Sequence, residues 1–193
     1  MKEVQDNLIK DETSDEIIRA AAEIVTESGE VTVSKILKRL SVTNRVFYNR
    51  FHNVEEVLKI VYEETAEKVR ESLEKEYDGK QDFFDYVVDV VADTLVLSYE
   101  VKMKFNQYVF EADSLSDGNY EWYMNRIEKL FKYAHEHGLI GDIDDKAMGY
   151  AIWCFCRGYN ADAVVRVPKD EAIRDFKYSF RILLNGLKIE NNK

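Results

Sequence analysis

Apolar residues recur along most of this chain at spacings of three and four, the period of an amphipathic helix. Thr13-Ser14-Asp15-Glu16 reads as a capping box, with Thr13 at the N-cap and Glu16 three residues on. Ile17, Ala21, Ile24 and Val25 follow on one face, and Gly29 supplies a left-handed stop, which predicts a helix over 14–28. Thr32 is a second N-cap, and Ile36, Leu37 and Leu40 form the apolar face of a short helix over 33–40. Ser41-Val42 leaves room only for a turn. Thr43 is a third N-cap, and Val46, Phe47 and Phe51 predict another short helix over 43–50. Two short helices joined by so tight a turn make a helix-turn-helix.

A breaker-free helical pattern then runs from Val54 to Tyr77 and stops at Asp78-Gly79-Lys80. The valine-rich stretch from Phe83 to Leu97 has some strand-like alternation. It is too long for a strand without a turn residue, and Phe84, Val87, Val91 and Leu95 share a helical face, so a helix is expected. Further helices are expected over 99–112, 119–137 and 145–165, with a last one opened by Pro168, where a missing N–H is harmless. The fold class is all-α with about nine helices. Residues 1–53 form a helix-turn-helix unit and residues 54–193 a larger helical domain. Composition supports this: one proline and eight glycines in 193 residues are too few for the turns of an all-β fold, and five of the glycines fall in breaks between the expected helices.

Charge changes the picture. The chain carries a net −10, yet residues 31–54 contain Lys35, Lys38, Arg39, Arg45 and Arg50 and no acid. A basic window in so acidic a chain is what a local anion-binding face looks like. It coincides with the helix-turn-helix. No apolar run approaches a membrane span, and the opening residues have no apolar core of a secretory signal. Two cysteines, Cys154 and Cys156, are normal for a reducing compartment. A soluble cytoplasmic protein without membrane association is expected.

The second short helix suits the major groove, where side chains at its start reach base edges. Asn44 and Arg45 stand there. Arginine pairs with guanine and asparagine with adenine, although Asn44 equally suits a helix start. Thr43 suits a phosphate, and Lys35, Lys38, Arg50 and His52 are sequence-blind phosphate candidates. Thr32 and Asn49 complete the candidate DNA-binding set. Phe47 and Phe51 belong to the core.

The segment 31–58 resembles the TetR family of bacterial transcriptional regulators in Thr32-Val33, Ile36, Val42-Thr43, Phe47-Tyr48, Phe51 and Glu55-Glu56-Val57-Leu58. The resemblance covers 14–58 and is architectural beyond. It implies that Tyr48 holds a phosphate through its hydroxyl. It also implies that the last two helices of each subunit build a four-helix homodimer interface, here through Phe155, Phe176, Phe180, Leu183, Leu184 and Leu187. A small-molecule effector would bind the larger domain and release DNA. Three positions depart from the pattern: Ser41 replaces the usual turn glycine, Arg45 a small residue, and Val54 a lysine, which shifts phosphate binding onto His52 or Arg50. Without that glycine, the turn is expected to avoid a positive φ.

Nine aromatic residues between 99 and 133 line an effector cavity or fill a core. Phe105, Tyr108, Trp122 and Trp153 are the pocket candidates, with Glu111, Asn125 and Arg126 as polar contacts. The helix 145–165 is apolar on more than one face, as expected of a helix buried between its own domain and a second subunit, or within a core. Cys154 and Cys156 point to opposite sides of that helix, ~200° apart, and share no metal. No metal site, cofactor or catalytic residue is expected. The sequence favours a ligand-responsive repressor that binds a palindromic operator in double-stranded DNA as a homodimer. A helical module using its basic window for a protein partner, and a helical enzyme with an aromatic pocket, are the alternatives.

Overall fold

The computed structural model describes residues 8–28, 30–100, 108, 109, 111 and 117–189. Among them run eight helices: α1 (Glu12–Ser28), α2 (Val33–Leu40), α3 (Asn44–Tyr48), α4 (Val54–Leu73), α5 (Phe83–Glu100), α6 (Asp117–Glu136), α7 (Asp145–Arg166) and α8 (Lys169–Asn185). The described residues contain no β-strand, only an isolated antiparallel bridge between Ile140 and Lys188. Gly29 lies outside the described residues. So does most of the helix expected over 99–112, although Tyr108, Val109 and Glu111 are helical.

The chain forms two compact units, and the division falls inside α4: one unit runs up to Arg70 and takes in Glu100, the other comprises Glu71–Tyr99 and the described residues from Tyr108 onward. In the first, α1 lays Ile17, Ala21, Ile24 and Val25 inward, and Ile36 of α2 and Phe47 of α3 are fully buried. Full burial of each large side chain is worth about 1.5–3 kcal/mol, which holds helices this short in place.

The start of α1 differs from expectation. Its capping box is Asp11 and Ser14, not Thr13 and Glu16: Ser14 N–H donates to Asp11 Oδ1 at 3.1 Å, and Asp11 N–H donates to Ser14 Oγ at 3.2 Å. Asp11 is favoured because Arg50 also fixes its carboxylate.

In the second unit the valine-rich segment is α5, with Phe83, Phe84, Tyr86, Val87, Val88 and Leu95 among its buried residues. Burial on several sides explains its lack of a single apolar stripe. Tyr99 of α5 donates its hydroxyl to the carbonyls of Ala163 (2.9 Å) and Val167 (2.7 Å), tying α5 to the end of α7. Lys177 and Arg181 of α8 pair with Asp89 and Asp85 of α5, each at 2.8 Å.

The helix expected to reach Tyr77 ends at Leu73. Arg126 of α6 causes this stop: Nε takes the carbonyl of Leu73 (2.8 Å) and Nη2 that of Lys75 (3.1 Å). Tyr86 donates its hydroxyl to the same Lys75 carbonyl. A distant side chain thus satisfies the orphan carbonyls of a helix end.

Candidate nucleic-acid interface

The window 31–54 folds as two short helices around a sharp turn. Thr32 caps α2 as expected, accepting the Lys35 N–H at 3.3 Å. Ser41 ends α2 at φ 55°, ψ 37°, in the left-handed region. The expectation that the turn avoids positive φ is therefore wrong. Its N–H donates to the carbonyl of Leu37, so the chain reverses as it would at a glycine, with a serine bearing the strain of ~1–2 kcal/mol.

Thr43 precedes α3 in extended conformation, makes no side-chain cap and is exposed. The helix itself is shorter than the 43–50 expected. It ends at Tyr48, and Asn49 and Arg50 continue as a turn, Arg50 N–H donating to the Phe47 carbonyl at 2.8 Å. Phe47 is fully buried and Phe51 nearly so, with ring centroids 5.8 Å apart. Asn44, Arg45, Tyr48 and Asn49 are exposed. Tyr48 sets its ring edge-on to Phe47 at 5.3 Å and remains 52% exposed. The core side of α3 is thus fixed by two aromatic rings, and its outer side presents an amide, a guanidinium and a phenol.

The basic residues divide sharply. Arg39 reaches back to α1 and pairs with Glu23 (3.0 Å) and Glu27. Lys35 Nζ donates to the Glu30 carbonyl (2.8 Å) and lies 3.6 Å from its carboxylate. Arg50 is gripped by Asp11 at 2.8 and 2.5 Å and by the Val46 carbonyl at 2.9 Å. These contacts turn Arg50 toward the protein, so its geometry gives no support to the phosphate role proposed from sequence. The window's freedom from acids holds in sequence only, because acids from 11–30 fold back onto three of its five cations. Lys38 and Arg45 are the two outward-facing exposed cations of the window with no ion pair among the described residues. The exposed His52 gives its backbone N–H to Glu56 at 2.8 Å, and Asn53 Oδ1 accepts the Glu56 N–H at 2.9 Å, which together cap α4.

The residues suggested for an effector pocket lie in different surroundings. Phe105 lies outside the described residues. Tyr108 is half-buried, and Glu111 and Asn125 are exposed. Arg126 is committed to the end of α4. Trp153 does pack against α6, 4.7 Å from Tyr123 and 6.0 Å from Tyr120, and Trp122 lies 5.2 Å from Tyr123. Tyr120 of that cluster is exposed, and Trp122, Tyr123 and Trp153 are half-buried.

The dimer residues need correction. Phe176, Phe180, Leu184 and Leu187 are buried inside the protomer, so a second copy cannot meet them. Phe155 stacks on Phe180 at 5.8 Å and joins this core, and Leu183 is half-buried. The exposed positions lie between them: Tyr178 and Ile182 on α8, and Tyr150, Cys154, Gly158 and Val165 on α7. The two glycines of α7 separate as their spacing requires. Gly149 packs against Met124 and Ile127 of α6, whereas nothing lies within 4 Å of where a Gly158 Cβ would stand. Cys154 is exposed, and burial pushes the Cys156 thiol up to about 12. Among the described residues no cluster of His, Cys, Asp or Glu could hold a metal ion.

No protein-family model matches the chain, nor does any curated protein. Solved structures do. A TetR-family transcriptional regulator from Pectobacterium atrosepticum superposes with a TM-score of 0.75 at 15% identity, over 93% of this chain and 95% of that one. SmeT, the repressor of the Stenotrophomonas maltophilia multidrug efflux pump SmeDEF, gives 0.67 at 18% identity, over 97% and 94%. BioQ, solved with its double-stranded DNA operator, gives 0.62 at 16% identity, over 90% and 96%. The chain has the fold of TetR-family transcriptional regulators.

Proposed function

We propose that this protein is a TetR-type transcriptional regulator that binds a two-fold operator as a homodimer. The observation that carries the reading is the split character of α3. Phe47 is locked into the core while Asn44, Arg45, Tyr48 and Asn49 face solvent, the arrangement of a recognition helix. Arg45 is the base reader, with Asn44 beside it. Lys38, Thr43 and Tyr48 are the phosphate contacts, and His52 a further one. Lys35, Thr32 and Asn49 border the same face.

The homodimer is supported by an unpaired apolar stripe. Tyr150, Cys154, Gly158 and Val165 stand at helical spacing on α7, and Tyr178 and Ile182 on α8 are similarly exposed. The stripe fits a second copy of itself better than water. Dimerisation would set two recognition helices at one operator. A small effector in the second unit would then shift the balance between binding and released states, which requires different affinity for the two, commonly ~1–3 kcal/mol. Repression in the bacterial cytoplasm is the simplest use of such a device. No helix among the described residues is long and apolar enough to cross a membrane.

The test is a salt titration of binding to duplex DNA. A regulator of this kind loses affinity steeply with salt, with log K falling by about 0.9 per phosphate contact against log salt. A flat dependence would favour a protein partner for the same face.

A further inference from the structure

The second unit contains a cavity of about 50 Å³ whose lining is apolar throughout. Phe83 and Val91 of α5, Ile127 of α6, Ile152 of α7 and Phe180 of α8 form its walls. None of the residues expected from sequence to hold an effector lines it. Protein interiors seldom leave a space larger than a water molecule, because the surrounding atoms forgo dispersion contacts. Water gains nothing there, since it needs two or more polar partners. A charged or strongly polar guest would lose its hydration without replacement. The lining therefore selects by chemistry: the guest it suits is uncharged and hydrocarbon-like.

Two of the lining residues, Ile140 and Leu187, lie outside the helices. Both belong to short irregular segments, one between α6 and α7 and the other just after α8. Three contacts hold these segments: the Ile140–Lys188 bridge, a bond from Gly141 N–H to the Leu187 carbonyl at 3.2 Å, and the pairing of His135 with Asp145 at 2.9 Å across the first segment. That segment carries two glycines, of which Gly138 sits at φ 61°, and an added Cβ would meet nothing at either. Lys188 rests its ammonium over the Phe84 ring, 4.6 Å from the centroid. These two segments are thus held by one backbone bridge and a few surface contacts, a low-cost place for local movement.

We propose that this cavity is a binding site for a small apolar molecule, an unsubstituted aromatic ring or short alkyl group, admitted by release of the bridge between Ile140 and Lys188. Size sets the role of the bridge. An engineered cavity of ~150 Å³ holds benzene or xenon. The present space, about a third of that, takes a xenon-sized guest as it stands and a six-carbon ring only when the Ile140 segment moves. As an effector site the proposal rests on the regulator reading above. As a binding site it does not.

The experiment uses the full chain with labelled isoleucine methyl groups, titrated with benzene and, separately, with benzoate. The expected result is a saturable shift confined to Ile127, Ile140 and Ile152, with benzoate at least about tenfold weaker. No shift with benzene overturns the proposal. So does a response to pressurised xenon alone, which would mark a packing void. Equal binding of benzoate overturns the selection by charge. Ala134, buried on α6, also lines the cavity. Ala134→Leu fills the space and should abolish the benzene response, and Ala134→Val weakens it should the larger residue unfold the protein. Retention of a selected DNA duplex is measured on the same samples. DNA binding without a benzene response sinks the site and spares the regulator. A benzene response without DNA binding does the reverse.

Discussion

Arg50 holds Asp11 edge-on, with Nε 2.8 Å from Oδ1 and Nη2 2.5 Å from Oδ2, across 39 residues of sequence. The same Asp11 caps α1 through Ser14. One carboxylate therefore joins the entry of α1 to the exit of α3. The Ile9 N–H adds a bond to the Asn49 carbonyl at 2.9 Å.

This pair predicts a pH dependence. The hydrogen bond from Arg50, more than any other influence, holds the Asp11 carboxyl at about 2, below the ordinary ~3.9. A depressed carboxylate adds stability that is complete above its unfolded pKa. That stability is lost as pH falls through the folded one. Chemical denaturation between pH 5 and 2 should show the loss across roughly pH 4 to 2. Asp11→Asn should be less stable at pH 5 and flatter below it.

Arg50 and Lys38 should behave differently although both are basic residues of one window. Lys38→Ala should weaken binding to all duplexes alike and reduce the salt slope by about 0.9. Arg50→Ala should lower the unfolding midpoint and leave the salt slope intact. A slope change in Arg50→Ala would return it to the phosphate contacts. Arg45→Ala should cost about 1–3 kcal/mol of base discrimination and relax preference at one position of each half-site, read by competition among variant duplexes.

Ser41 carries a left-handed backbone without being a glycine. Ser41→Gly should stabilise the protein by about 1 kcal/mol, seen as a higher denaturant midpoint at unchanged slope. DNA affinity should be unaffected, because the turn geometry is already formed.

Core and surface of the last helix are separable. Phe180→Ala should cost about 3–5 kcal/mol of stability, since the ring is fully buried. Ile182→Glu, at a position 55% exposed, should leave the fold within about 0.5 kcal/mol. In sedimentation it should convert a dimer to a monomer. A dimer that survives Ile182→Glu would place the interface elsewhere.

The helices were largely legible in the sequence because their periodicity is local. The bounds of α2 follow from Thr32 and Ser41 alone, and Phe47 and Phe51 identify themselves as core by spacing. What was not legible depends on partners far along the chain. Nothing near Leu73 announces that Arg126, 53 residues on, stops α4 there. The same distance effect hid Arg50 behind Asp11 and Arg39 behind Glu23 and Glu27. A count of charges sees five cations, whereas folding leaves Lys38 and Arg45 without an ion pair among the described residues. The stripe Phe176, Phe180, Leu184 and Leu187 shows a periodicity that cannot distinguish a protomer core from a subunit interface. Burial decides it. The cavity lined by Phe83, Val91, Ile127, Ile152 and Phe180 was not legible either, because aromatic abundance does not say where space remains.

As proposed, α3 reads DNA in a two-fold assembly. The most direct test of this is selection from a pool of random duplexes with the purified protein at two salt concentrations. The expected result is an enriched palindrome whose half-sites lie about one helical turn or more apart, bound by two protomers and lost with Arg45→Ala. No enriched sequence at either salt concentration, or an enrichment indifferent to Arg45→Ala, would contradict it.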